Sequence, residues 1–184
     1  MSRIRSEKYR SKVMSAEEAA QFIKNGDNIG FSGFTGSGYP KAVPVALAAQ
    51  IKAAHARGDE FRVGVFTGAS TAPELDGALA ETGAVSMRMP YQSDPHMRNA
   101  VNAGVSEYYA VHLSHSGPQV RAGFWGTLDV AVVEVTLVKE DGTIVPSSSV
   151  GNNNVWLQMA ERIILEVNSW QSEDLEGMHD IYSM

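Results

Sequence analysis

Cysteine is absent from the chain, which excludes disulfides, a thiolate nucleophile and any cysteine-built metal site. Such a composition fits a reducing compartment, and a cytoplasmic location is the expectation. No run of about 18 apolar residues occurs either, so no membrane span is expected. Positive charge is scarce: 15 Lys and Arg against 21 Asp and Glu give a formal charge of −6. A broad nucleic-acid surface needs a basic face, so no nucleic-acid partner is expected. Internal repeats and low-complexity segments are missing as well. What remains, with 43% hydrophobic and 20% charged residues, is the balance of a soluble globular chain. At 184 residues it fits one ordinary domain with a real core.

The few basic residues are unevenly placed. Arg3, Arg5, Lys8, Arg10 and Lys12 make the start basic, with Glu7 the only acid there. Because this stretch runs without a spacer into a folded helix, it reads as a solvated or partner-contacting arm rather than a transit peptide. At the other end, 169–184 is acidic and aperiodic. The expected division is a domain over 1–168 and the start of a linker over 169–184.

Between these ends, helical and extended patterns alternate. Ser15-Ala16-Glu17-Glu18 is a capping-box pattern, followed by the apolar stripe of Ala19, Ala20, Phe22 and Ile23, with Gly26 placed to stop the helix. Strands are expected over 28–31, 62–66, 85–89, 130–135 and 163–167. The spacing predicts helices over 44–56, with Val45, Leu47, Ala48 and Ile51 on the buried side, and over 73–79, 95–103 and 151–160. Asp94-Pro95 supplies an N-cap and a first-turn proline. Asp141-Gly142, inside 137–145, signals a hairpin. The predicted class is therefore α/β: three layers, with helices on both faces of a mainly parallel sheet that carries one β-hairpin.

Ligands of open α/β sheets bind at loops beyond the carboxyl ends of the strands. The turn over 32–40 lacks side chains at Gly33, Gly36 and Gly38, which frees its backbone N–H groups to face an anion or acyl oxygen. Its G-x-x-G-x-G spacing is neither a Walker loop nor a dinucleotide fingerprint, and a plain strand-to-helix turn explains it equally well. In the second turn, Thr67-Gly68-Ala69-Ser70-Thr71, three hydroxyls surround one glycine and suit a carboxylate or carbonyl. No general base lies near in sequence, so Ser70 reads as a donor rather than a nucleophile. Capping of the following helix by Ser70 or Thr71 is the ordinary alternative. A third polar turn, 147–154, combines capping chemistry with a high density of donors.

These segments resemble one family. Residues 32–41 (SGFTGSGYPK), 67–71 (TGAST) and 146–152 (PSSSVGN), with Arg98-Asn99 and Glu176-Gly177-Met178-His179-Asp180, are similar to the opening half of class I coenzyme A transferases of the acetyl-CoA hydrolase/transferase family. The match runs through essentially the whole chain in order. The resemblance implies two related α/β halves per subunit, an active site between them and commonly a homodimer. It also implies ping-pong chemistry through a glutamyl-CoA thioester, with acyl-CoA and a small carboxylate as substrates. Coenzyme A is then a substrate, and no cofactor is expected. The family's nucleophilic glutamate has no counterpart here, because it belongs to the second half. By this resemblance Ser70 helps hold the substrate carboxylate. The binding set is then Ser70, Gly68 and Thr71 with Gly33, Thr35 and Gly36 as a second wall, and no catalytic residue lies within this chain.

Other groups have plainer readings. Glu134 reads as a structural carboxylate at a strand end. His112 and His115 fall in a run (108–113) that reads as a strand, which puts them on opposite faces and gives no metal site. Phe124 and Trp125 read as core or interface. Acyl-CoA hydrolysis, a non-catalytic acyl-CoA or carboxylate binding module, and a sugar-phosphate isomerase are the competing functions.

Overall fold

The computed structural model describes residues 2–69 and 71–179. Seven strands form one sheet: β1 (Asn28–Phe31), β2 (Val63–Phe66), β3 (Val85–Met89), β4 (Glu107–Tyr108), β5 (Val130–Val138), β6 (Ile144–Pro146) and β7 (Arg162–Val167). Their order is β4-β3-β2-β1-β5-β6, with β7 also paired to β5. Every pairing is parallel except the hairpin of β5 with β6. The helices are α1 (Glu7–Arg10), α2 (Ala16–Ala20), α3 (Ala42–Ala56), α4 (Ala78–Ala80), α5 (Pro95–Asn102), α6 (Leu113–Arg121) and α7 (Asn153–Met159). A π-helical turn, Pro73–Gly77, leads into α4.

Strand β5 explains the layering. All nine of its residues are buried, as a central strand covered on both faces requires. Val130 and Val132 belong to the core under α2 and α3, with Leu47, Ile51 and Leu79. Ala131, Val133 and Val135 point the other way, into a core with Phe66, Val155 and Trp156. Alternation with period two thus splits one apolar run between two cores. Each fully buried Leu or Ile in them contributes roughly 1.5–3 kcal/mol.

Local signals fix the helix starts. Ser15 Oγ accepts from the Glu18 N–H (3.2 Å), and Glu18 Oε2 accepts from the Ser15 N–H (2.8 Å). Asp94 Oδ1 accepts from the N–H groups of His96 and Met97, at 2.8 and 3.1 Å.

Two expectations are corrected, for Val45 and for the run 108–113. Val45 is 47% exposed, because the buried stripe of α3 follows Pro44, Leu47, Ala48, Ile51 and Ala54, and Val45 lies about 100° from Pro44 around the axis. The run 108–113 is not a strand beyond Tyr108. Instead His112 caps α6, its Nδ1 accepting from the Ser114 N–H (3.3 Å), and the rings of His112 and His115 lie on one side, 5.5 Å apart. Phe124 is exposed, whereas Trp125 meets the Tyr109 ring edge-on at 4.8 Å.

No helix among the described residues is long and apolar enough to cross a membrane. The basic start and the acidic end meet: Arg3 and Arg5 both reach Glu173 (3.4 and 2.6 Å), and Lys139 reaches Glu176 (2.8 Å).

Candidate functional site

Three polar turns converge at the carboxyl ends of the central strands. They follow β1, β2 and β6, and their meeting point is made of glycine. A β-carbon placed on Gly68 would strike the Gly33 carbonyl oxygen and lie 3.1 Å from the Gly151 Cα. One placed on Gly151 would lie 3.1 Å from the same oxygen. The missing side chains at Gly68 and Gly151 thus let their two backbones approach each other and the Gly33 carbonyl. The same holds at Gly38, where a β-carbon would come within 2.7 Å of the Ser149 nitrogen. The sequence reading took Gly33 and Gly38 as open to a ligand; Tyr39 fills that space at Gly33 and Ser149 fills it at Gly38.

Gly36 is different, with no atom near its missing side chain. Phe34 and Ser37 exchange backbone hydrogen bonds (2.9 and 3.0 Å). Between them Thr35 (φ 48°) and Gly36 (φ 79°) both take left-handed backbone, the requirement of a tight two-residue hairpin. Glycine adopts this freely, whereas a β-branched threonine does so at a cost. The result is an exposed tip, Thr35-Gly36, next to the contact of Gly33 with Gly68 and Gly151. Gly33, Gly68 and Thr71 lie buried below it, and Ser70 lies outside the described residues.

Cross-links hold the first and third turns together. Ser37 Oγ and Ser148 Oγ share a hydrogen bond (2.8 Å), and Ser149 Oγ donates to the Ser37 carbonyl (2.6 Å). Ser32 Oγ, fully buried, donates to the Gly38 carbonyl and accepts from the Glu134 N–H, each at 2.8 Å. Glu134 itself lies within β5, not at its end, and is buried. Its carboxylate accepts from Ser147 Oγ (2.6 Å), Asn168 Nδ2 (3.2 Å) and Lys41 Nζ (2.6 Å). The Lys41 ammonium also sits 4.1 Å from the Tyr39 ring centroid. Tyr39 donates its hydroxyl to Glu74 (3.0 Å). Burial first, and then this carboxylate partner, push the phenol up to about 12.

Helix α3 starts at this loop without a cap of its own. Glu166 of β7 supplies one from across the sheet, accepting from the N–H groups of Lys41 (2.6 Å), Ala42 (3.1 Å) and Val43 (2.9 Å). An anion at a helix N-terminus is favoured by the helix dipole.

The second turn rests on a buried ion pair. Arg88 Nε and Nη2 donate to Asp76 Oδ1 and Oδ2 at 2.8 and 3.0 Å, with neither side chain exposed. Asp76 Oδ2 also accepts from the Thr71 N–H (2.9 Å), and Arg88 Nη2 donates to the Ala69 carbonyl (3.2 Å). Thr67 Oγ1 donates to the same carbonyl. Desolvation pushes the Asp76 carboxyl up, but Arg88 and the bonds from Thr71 outweigh it and hold the group below its ordinary value.

Sequence reading missed Arg88, Asp76, Lys41 and Glu166. A charge inside an otherwise apolar strand, Arg88 between Met87 and Met89, was the available signal. Among the described residues no group of three or more His, Asp or Glu is placed to hold a metal ion.

Residues 1–183 match the acetyl-CoA hydrolase/transferase N-terminal domain. The chain is 40% identical to succinyl-CoA:acetate CoA-transferase of Clostridium kluyveri, over 99% of its own length and 33% of the relative's. It is 36% identical to propanoyl-CoA:succinate CoA transferase of Escherichia coli (91% and 34%) and 37% identical to acetyl-CoA hydrolase of Saccharomyces cerevisiae (97% and 35%). It therefore spans about a third of the length of these relatives. Its fold is similar to RipA of Yersinia pestis (TM-score 0.67, 22% identity, covering 89% of this chain and 38% of that one). It also resembles a chain of the decarboxylase AibA/AibB (TM-score 0.64, 17% identity), of which it covers 75%, with 91% of its own length matched. The match over nearly its whole length shows that the chain belongs to the acetyl-CoA hydrolase/transferase family, in that family's N-terminal domain.

Proposed function

We propose that this domain forms one wall of the active site of an enzyme that moves coenzyme A between an acyl-CoA and a small carboxylate. The observation that carries the reading is the convergence of three donor-rich turns on Gly33, Gly68 and Gly151, at the strand ends where α/β sheets bind ligands. The exposed Thr35-Gly36 tip and the turn containing Ser70 frame the carboxylate. Glu134 and Asp76 are each buried among their own partners, which suits structural anions rather than nucleophiles. In the ping-pong cycle, the nucleophilic glutamate comes from the polypeptide beyond this domain. It attacks the thioester carbonyl and expels the CoA thiolate, forming an acyl-glutamyl anhydride; the thiolate then attacks the glutamyl carbonyl, releasing the acyl group as its carboxylate and leaving a glutamyl-CoA thioester for the second carboxylate. Backbone N–H groups lower the barrier by meeting the oxyanion. Residues 1–168 constitute the domain and 169–184 begin the connection to the second half; the working form is a homodimer.

The yeast relative named acetyl-CoA hydrolase favours a second reading, in which water takes the place of the acceptor carboxylate.

One assay separates these readings. The 184-residue chain alone is expected to give no CoA transfer from succinyl-CoA to acetate. Joined to the C-terminal two thirds of the Clostridium kluyveri relative, it is expected to turn over, and Ser70→Ala to raise the KM for acetate. Turnover by the chain alone would overturn the split of the site. Acetate-independent release of free CoA by the extended chain would establish the hydrolase instead, and an unchanged acetate KM would remove Ser70 from the site.

A further inference from the structure

A second concave surface lies away from the glycine turns. It is a groove of about 690 Å³, floored by residues 163–167 of β7 and walled by Ile4, Val13, Phe22 and Val43. Five consecutive residues of one strand line a groove only when the strand's edge is open. β7 pairs with β5 alone. The Arg162 N–H donates to the Asp129 carbonyl and the Asn168 N–H to the Val135 carbonyl, so even-numbered residues turn their backbone groups inward. Backbone alternation therefore aims the N–H and C=O groups of Ile163, Leu165 and Val167 outward, at the groove.

Such edges are normally protected by charge, proline or a bulge. Here the two charges on the strand are engaged elsewhere: Arg162 donates to the Phe22 carbonyl (2.8 Å), and Glu166 caps α3. Most residues flanking the groove are apolar, with Lys12, Ser15, Arg162 and Glu166 also lining it, and two of the apolar ones are open to solvent, Val13 at 63% and Phe22 at 44%. The groove thus offers a ladder of unpaired backbone groups between apolar walls, which fits an extended apolar strand.

We infer that this groove receives, by strand addition to β7, an extended segment of the polypeptide that follows this domain in its longer relatives. Two observations select that occupant. The relatives carry about twice as much chain outside the matched third. Residues that follow β7 are also held at one end of the groove. Arg3 and Arg5 hold Glu173, and Lys139 holds Glu176, beside Ile4 and Val138, which form that end. The inference rests on the family assignment and is independent of which acyl group is transferred.

Amide hydrogen exchange tests it, on the 184-residue chain and on the same chain joined to the C-terminal two thirds of the Clostridium kluyveri relative. In the chain alone, the amides of Ile163, Leu165 and Val167 are expected to exchange on the order of 100-fold faster than those of Ile164 and Glu166. In the extended chain they are expected to slow to the level of their neighbours, whether or not CoA transfer is detected. Leu165→Pro removes one outward N–H and leaves the β5 pairing intact. Compared with Leu165→Ala, which removes the same side-chain packing, it is expected to lower the Tm of the chain alone by less than about a further 4 °C, and to restore fast exchange at Ile163 and Val167 in the extended chain. Unchanged fast exchange in the extended chain would overturn the inference. So would protection that appears in the chain alone and fades on dilution, which would make the occupant a second copy.

Discussion

Arg88 and Asp76 form a two-pronged ion pair with no solvent exposure on either side, directly beneath the turn that contains Ser70. The pair spans two elements, β3 and the π-helical turn, and carries the Thr71 N–H and the Ala69 carbonyl as additional partners. Removing one member strands a charge in the core. Arg88→Leu is expected to cost about 3–5 kcal/mol, and Asp76→Leu added to it to recover a large part of that loss. Urea unfolding of the two single variants and the double variant checks this through the coupling energy.

The same pair sets an acid limit. Asp76 is held below the ordinary carboxyl value in the folded chain, so folding favours its ionised form. Its contribution is complete above the unfolded value of about 3.9 and is lost as the pH falls through the lower folded value. Stability of the natural chain is expected to fall across that window more steeply than that of Asp76→Asn. Equal slopes in denaturant titrations from pH 5 downward would remove this linkage.

Gly36 and Gly38 separate backbone strain from crowding. Both have left-handed backbone (φ 79° and 65°), so alanine costs each about 1–2 kcal/mol in strain. Only at Gly38 does the new carbon also meet Ser149, 2.7 Å from its nitrogen. Gly38→Ala is expected to exceed Gly36→Ala by a further ~1–3 kcal/mol, the usual cost of overpacking. Thermal or urea unfolding of the two variants gives the difference directly.

Tyr39 gives a spectroscopic prediction. With its phenol raised to about 12, it is expected to remain un-ionised near pH 11, where an ordinary tyrosine, titrating at about 10, has lost its proton. The raised value means that its contribution to stability is complete below about pH 10 and lost as pH rises towards 12. An absorbance titration of phenolate should lose its latest-titrating component in Tyr39→Phe. An unchanged high-pH limb would place Tyr39 outside the buried network.

Much of this architecture is written locally. The capping residues Ser15 and Asp94 and the largely apolar run that opens β5 announce their elements, because each signal acts within a few positions. Helix α6 escaped detection because Gly117 and Pro118 look like a break. Gly117 is explained only by packing, since a β-carbon there would come within 2.9 Å of Val155 on α7. The glycine turns were visible as turns at strand ends, but not their mutual contact, which joins residues 33, 68 and 151. Lys41 with Glu134, and Glu166 with the start of α3, are separated by about a hundred residues or more, beyond the reach of periodicity or spacing.

Glu166 gives the fold a lever. Its backbone belongs to the outermost strand, while its carboxylate grips the loop that frames the glycine turns. Any displacement of that strand must therefore pull on the start of α3 or break three hydrogen bonds. While those bonds hold, the edge strand and the start of α3 move as one.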